Sequence, residues 1–265
     1  MSAESGVMRA GREQLPRLIE NWNLVFGDSV EEIRRFYDAF WEEGVFLCIC
    51  SGGEIVSQLA LLPAVYRFAE KTVPAWYLYA ALTRPEGRGR GLMGELVTAA
   101  VRQVRDMGAP LLFTLPASAG LYGYYARFGF ATAFFRERGA SAAWPAGYEA
   151  YRRQMEREPY CVVWGERHFS YAAGGGFSPP GCRAVHEPEP YGMARICDVA
   201  GLLRALPEEQ AAGAQTAVSG DEIILENNGV FRLPCGGENL TLGELTPRLL
   251  AGFGGGRPYA DLLLE

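Results

Sequence analysis

The first apolar residues fall at helical spacing. Leu15, Leu18, Ile19, Trp22 and Val25 recur three or four apart and predict an amphipathic helix. A second helix is expected over residues 28–44. Asp28 or Ser29 can cap it, Glu31 and Glu32 fill its first turn, Ile33, Phe36, Tyr37 and Phe40 share one side, and Gly44 ends it. The pattern then shifts to short apolar runs at 45–50, 55–68 (with Pro63 near its end) and 73–83. These read as three strands, the first two joined by a Ser-Gly-Gly-Glu turn. After a glycine-rich loop the helical period returns from Leu92. Met93, Leu96, Val97, Ala100, Val101 and Val104 form one face, and Gly108 and Pro110 stop it. Residues 111–115 read as a buried strand, 117–128 as a short helix closed by Gly129, and 130–138 as a last strand. Hairpins followed by a crossover helix between 83 and 111 predict a mixed sheet with one parallel pair.

Beyond residue 140 the texture changes. Residues 142–164 read as a loop, a helix and a strand, while 172–181 and 186–192 carry loop or linker signals. Order resumes at 193–206. Residues 221–233 predict a hairpin turning on Asn228-Gly229, and 240–253 a short strand and helix.

Composition narrows the classes. The chain has 265 residues, 49% of them hydrophobic, enough to bury a core. No window approaches 18 uninterrupted apolar residues and the N-terminus has no apolar leader, so a cytoplasmic protein with no membrane partner is expected. The six cysteines form no C-x-x-C pair and there are two histidines, His168 and His186, so no metal is expected and the thiols read as reduced and mostly buried. The net charge of −6 falls entirely on residues 141–265, the first 140 being neutral. No basic patch of the size needed for nucleic acid is present. The acidic half suits a cationic ligand, although solubility alone accounts for it.

The stretch TRPEGRGRGLMGELVTAA (83–100) holds Gly89, Gly91 and Gly94 in the pattern G-x-G-x-x-G. A dinucleotide loop of that pattern expects an acid about 20 residues on. None lies between Asp106 and Glu137. No Gly-Lys-Ser/Thr follows, so a Walker A loop fails too. In a different register, Arg88-Gly89-Arg90-Gly91 resembles the R/Q-x-x-G-x-G/A loop of the GNAT acetyltransferases. The resemblance implies that Arg88, Gly89, Arg90, Gly91, Leu92, Met93 and Gly94 hold the pyrophosphate of acetyl-coenzyme A, with amides at a helix start as the donors. Met93 stands where the family has Gly or Ala. GLYGYYARFGF (120–130) resembles the family's F-Y-x-x-x-G-F, which implies that Tyr125 protonates the departing thiolate. Tyr122 and Tyr124 read as packing residues. YLYAALTRP resembles the family strand before the loop, so Ala81, Leu82 and Thr83 would line the cofactor through their main chain.

The later half resembles, more diffusely, the sterol-carrier-like C-terminal domain of the enhanced intracellular survival (Eis) group. The implied fold is α/β (α+β), a GNAT mixed central sheet with flanking helices plus a smaller α+β sterol-carrier-like domain. Its implied divisions are 1–138, a reduced middle segment at 139–190, and 191–265. In that group the terminal carboxylate reaches the active site, which here would be Glu265. No residue stands out as base; Glu54 and Glu86 acting through water, or no protein base, remain open. The implied activity is transfer of acetyl from acetyl-coenzyme A to a small-molecule or peptide amine, with homo-oligomers left open. The competing reading is an acyl-coenzyme A or lipid sensor without catalysis.

Overall fold

The computed structural model describes residues 6–136, 143–177, 179–180, 189–206, 213–234, 238–253 and 258–260. The two helices expected first are α1 (Leu15–Phe26) and α2 (Val30–Phe40). α2 opens on a capping box: the Ser29 hydroxyl accepts from the Glu32 amide, and the Glu32 carboxylate accepts from the Ser29 amide at 3.0 Å. A short strand that the sequence pattern does not announce, β1 (Val7–Arg9), precedes them and pairs with β2 (Val45–Ser51).

β3 (Glu54–Phe68) and β4 (Lys71–Thr83) form the long hairpin of the sheet. Pro63 sits well inside β3 rather than near its end. Pairing with β2 ends at Leu61, and pairing with β7 (Tyr160–Val163) begins at Val65. Pro63 therefore falls where one side of β3 has no partner, and its missing N–H is tolerated there. After α3 (Leu92–Asp106) comes β5 (Leu111–Thr114), parallel to β4 as the crossover predicted. α4 (Ala119–Ala126) and β6 (Ala131–Arg136) follow.

The remaining elements are α5 (Tyr148–Met155), β7, α6 (Glu166–Gly174), β8 (Glu189–Ile196), α7 (Val199–Ala205), β9 (Ala214–Ser219), β10 (Gly229–Leu233), β11 (Leu240–Thr241) and α8 (Leu242–Leu250). The main sheet runs β1-β2-β3-β4-β5-β8-β6, with β7 on β3. β8 lies antiparallel between β5 and β6. Residues 189–192, expected as loop, are thus strand: the partners that make them so are distant in sequence. α6 likewise runs through Gly174 into the segment expected as loop.

A second sheet, β10-β9-β11, lies beside α8, which also packs on β6 and β8 of the main sheet. The hairpin predicted on Asn228-Gly229 is replaced by a wider connection. β9 and β10 pair from Val218↔Gly229 outward, and residues 220–228 form the loop between them. Its hub is Asp221, whose carboxylate accepts from the amides of Ile223 and Ile224, while the Asn228 amide side chain bonds both the N–H and the carbonyl of Asp221. These side-chain bonds hold a loop that a two-residue turn would exclude.

Helices cover both faces of the sheet. One core holds the α1 and α2 aromatics Trp22, Phe36, Tyr37 and Phe40 with Tyr77, Phe113 and Trp164. The other packs Leu96, Val97, Ala100, Val101 and Val104 of α3 against Leu59, Leu61, Leu78 and Leu112. Along β4 the odd residues Val73, Ala75, Tyr77 and Tyr79 face the first core, but past Ala80 the even residue Leu82 does. An extra residue has entered the strand.

Candidate active site

That extra residue is a β-bulge. Gln58 pairs with Leu82 and Ala60 with Tyr79, so Ala80 and Ala81 stand opposite Leu59 alone. Ala80 takes a left-handed φ of 48°, strained for a residue with a Cβ. Here β4 and β5 also part. Their pairing stops at Leu78↔Thr114, and β4 runs on to Thr83 with no β5 partner among the described residues. An open strand edge of this kind can receive an extended chain through main-chain hydrogen bonds. Buried polar groups fix it from behind. The Ser57 hydroxyl bonds the Leu82 carbonyl at 3.0 Å and lies 2.8 Å from the Thr83 hydroxyl. Asn21 ties the Ile55 carbonyl and Gln58 to Arg84, just past the strand.

The chain turns from this edge through residues 85–87 into the glycine loop. Gly89 and Gly91 both have left-handed φ, 73° and 80°, and Gly91 precedes the first turn of α3. A Cβ at either would meet nothing within 4 Å, so the demand there is conformational. Among the described residues no acceptor takes the amides of Gly89, Arg90, Gly91, Leu92, Met93 or Gly94. They form a row of donors at the positive end of α3. Arg88 and Arg90 are exposed beside them; Arg88 Nε donates to the Thr83 carbonyl at 3.2 Å, joining loop to strand. Gly94 differs. A Cβ on it would lie 3.2 Å from Cζ of Phe128, so it spaces α3 from the end of α4.

Tyr125, on α4, is buried at 6% exposure in the α3-side core. Burial pushes its phenol up to about 12, opposed by the neighbouring Thr114 hydroxyl. Thr114 ends β5 and donates to the Leu78 carbonyl at 3.0 Å. Tyr125 thus sits at the fork where β4 and β5 separate. Tyr124 packs edge-on against Tyr125 and under the Arg127 guanidinium, and Tyr122 is half-buried.

Both glutamates considered as a base are engaged in ion pairs. Glu54 pairs with Arg17 at 2.7 Å and Glu86 with Arg84 at 2.5 Å. The Glu86 carboxyl is held below its usual range by its own backbone amide and by Arg84. His168 is buried and stacked on Trp164 at 3.7 Å. His186, Glu265, Cys182 and Cys235 lie outside the described residues. Burial pushes the Cys48 and Cys197 thiols up to about 12. Among the described residues no three His, Cys, Asp or Glu side chains group as for a metal, and no helix is long and apolar enough to cross a membrane. Ser57, Ala80 and Thr114 escape the sequence reading: a hydroxyl at the end of an apolar strand is the only signal for Thr114, and nothing marks the other two.

A forked mixed sheet, a donor-lined glycine loop at a helix start and a buried tyrosine thus lie together. Residues 7–133, just under half of the chain, match the family described as Acetyltransferase (GNAT) domain, and that match supports an acyltransferase. No curated protein matches the sequence. In fold the chain is similar to a probable N-acyltransferase from Enterococcus faecalis V583 (TM-score 0.74, 14% identity, 94% of this chain and 90% of that one). It is also similar to Eis1 from Mycobacterium abscessus (TM-score 0.69, 13% identity, 93% and 90%). A GCN5-related N-acetyltransferase from Kribbella flavida gives a TM-score of 0.66 at 17% identity, over 97% of each chain. These likenesses are of fold, and they extend well beyond residue 133.

Proposed function

We propose that the protein moves an acetyl group from acetyl-coenzyme A directly to a primary amine, on a small cationic molecule or a peptide. The observation that carries this reading is the meeting of three features at one fork: the amides of residues 89–94, which have no acceptor among the described residues, the edge of β4 from Ala81 to Thr83, and the Tyr125 phenol. The amides, with Arg88 and Arg90, suit the pyrophosphate. The strand edge suits the pantetheine arm, with Ala81, Leu82 and Thr83 as main-chain partners. Holding the thioester beside the amine supplies much of the rate. Strand amides at the bulge oppose charge on the carbonyl oxygen as it develops. Tyr125 then gives its proton to the leaving sulfur while the amine nitrogen forms its bond to the acetyl carbon and loses a proton to solvent.

The test is release of free thiol from acetyl-coenzyme A across a panel of amines. Tyr125→Phe should lower turnover about 10²–10⁴-fold with acetyl-coenzyme A binding unchanged. Full activity in that variant removes Tyr125 as the acid, and cofactor binding without turnover on any amine favours the sensor reading. With its phenol at about 12, Tyr125 stays protonated at neutral and mildly alkaline pH. Activity should therefore climb from pH 7 to about pH 9 as the acceptor amine deprotonates, with no falling limb in that range. An alkaline decline that vanishes in Tyr125→Phe would contradict this.

The same reading divides the chain at 1–138, 139–190 and 191–265, with most of β8 lent by the last part to the central sheet. A sterol-carrier-like character for that part is supported by its small second sheet beside α8. Glu265 is assigned a role in positioning groups at the site. Residues appended after it should impair turnover, and unchanged activity removes the assignment.

A further inference from the structure

Arg195 is a charged side chain of β8, and it is 1% exposed. It points to the α3 side, flanked along the strand by Met193 and Cys197 and paired across it with Leu112. A buried ion pair is a weak source of stability, because desolvation offsets the attraction. What this one does is join distant elements. Arg195 Nη2 bonds Asp221 Oδ1 at 2.6 Å, and Nη1 donates to the Phe128 carbonyl. That carbonyl lies just past the C-terminus of α4, the negative end of the helix. The Phe128 amide donates in turn to the Tyr125 carbonyl at 2.9 Å.

Gly129 is what lets the guanidinium in. It has a left-handed φ of 79°, and a Cβ on it would collide with Nη1 of Arg195. Asp221 is braced independently: it accepts from the Ile223 and Ile224 amides at 2.9 Å and from Asn227 Nδ2 at 2.8 Å. Asn227 also accepts from the Val199 amide at the start of α7. A rigid loop of the C-terminal region thus grips the end of the helix that carries the proposed acid.

We propose that Arg195, held by Asp221, is a positioning residue for Tyr125, so that the region beyond the matched domain sets the placement of the group that protonates the leaving thiolate. This rests on the reading of Tyr125 as the acid. The test uses the full chain and a double-mutant cycle. Arg195→Lys should lower kcat on the order of 10- to 100-fold, the scale of a small misplacement. KM for acetyl-coenzyme A should hold, with turnover counted per cofactor-binding site. In a Tyr125→Phe background Arg195→Lys should lower kcat no further. Equal losses in both backgrounds, or an unchanged kcat in the first, overturn the proposal. Should the lysine variant fail to fold, the apolar pair Arg195→Met with Asp221→Leu keeps the volume buried without charge. That pair should fold and lose kcat in the same way; full turnover from it overturns the proposal. If Tyr125→Phe itself leaves kcat intact, the reading of Tyr125 fails; if Tyr125→Phe abolishes turnover and the Arg195 variants keep it, only this inference does.

Discussion

Single residues separate two glycines that one motif places side by side. Gly91 is needed for its backbone: its φ is 80° and the space around it is open. Gly94 has ordinary helical geometry and is needed, if at all, for its closeness to Phe128. Gly91→Ala should therefore strain the loop by about 1–2 kcal/mol and weaken acetyl-coenzyme A binding roughly 5- to 30-fold, by the same conversion. Gly94→Ala adds a methyl toward the Phe128 ring and should change binding by less than about 3-fold. Calorimetric titration of both variants decides it; equal losses would mean that a methyl at Gly94 disturbs the row of amides. At this scale the sequence was informative: spacing shows the missing downstream acid, and the resemblance to the GNAT motifs points to the loop and to Tyr125. What spacing hides is contact. Nothing in the letters around Gly129 announces that a guanidinium from β8 needs its missing Cβ.

Among elements, β4 shows where the reading stopped. Residues 73–83 are apolar almost throughout, so both faces look alike and a parity change leaves no mark. Strand and length were legible; the bulge at Ala80 was not. α1, α2 and α3 were legible because each has one apolar face. β8 was not, because its pairing depends on β5 and β6, both of which precede it by more than fifty residues. The bulge also gives a stability test. Ala80→Gly removes the Cβ from a left-handed position, a relief of about 1–2 kcal/mol, partly offset by about 0.5–1 kcal/mol of added unfolded-chain entropy. Denaturant unfolding should show a small net gain, whereas Ala80→Val should lose stability. A loss in the glycine variant would mean that contacts of the Ala80 methyl outweigh the strain.

Across the whole molecule, the acidic C-terminal region and the neutral first part meet through Asp221. Burial raises its carboxyl, but Arg195, the Ile224 amide and Asn227 overcome this and hold it below the ordinary value. A depressed folded pKa contributes stability that is complete above the unfolded value, near pH 4, and is lost as pH falls through the folded value. Thermal midpoints should accordingly be flat from neutral pH down to about 4–5 and drop below it. In Asp221→Asn this component of the acid drop should be missing, from a starting stability lower by about 3–5 kcal/mol. An unchanged acid limb in that variant would assign the pH sensitivity elsewhere.

The position of β8 bears on how the chain is made. Both neighbours of that strand are finished at residue 136, but the strand that belongs between them begins at residue 189. At about 5–20 residues per second on the ribosome, the two edges wait roughly 3 to 10 s for it. Through that interval β5 and β6 present unpaired strand edges beside an apolar core, the state most exposed to wrong pairing. The catalytic tyrosine proposed here lies on the helix between those two edges, so translation must run far past the matched domain before that helix can settle.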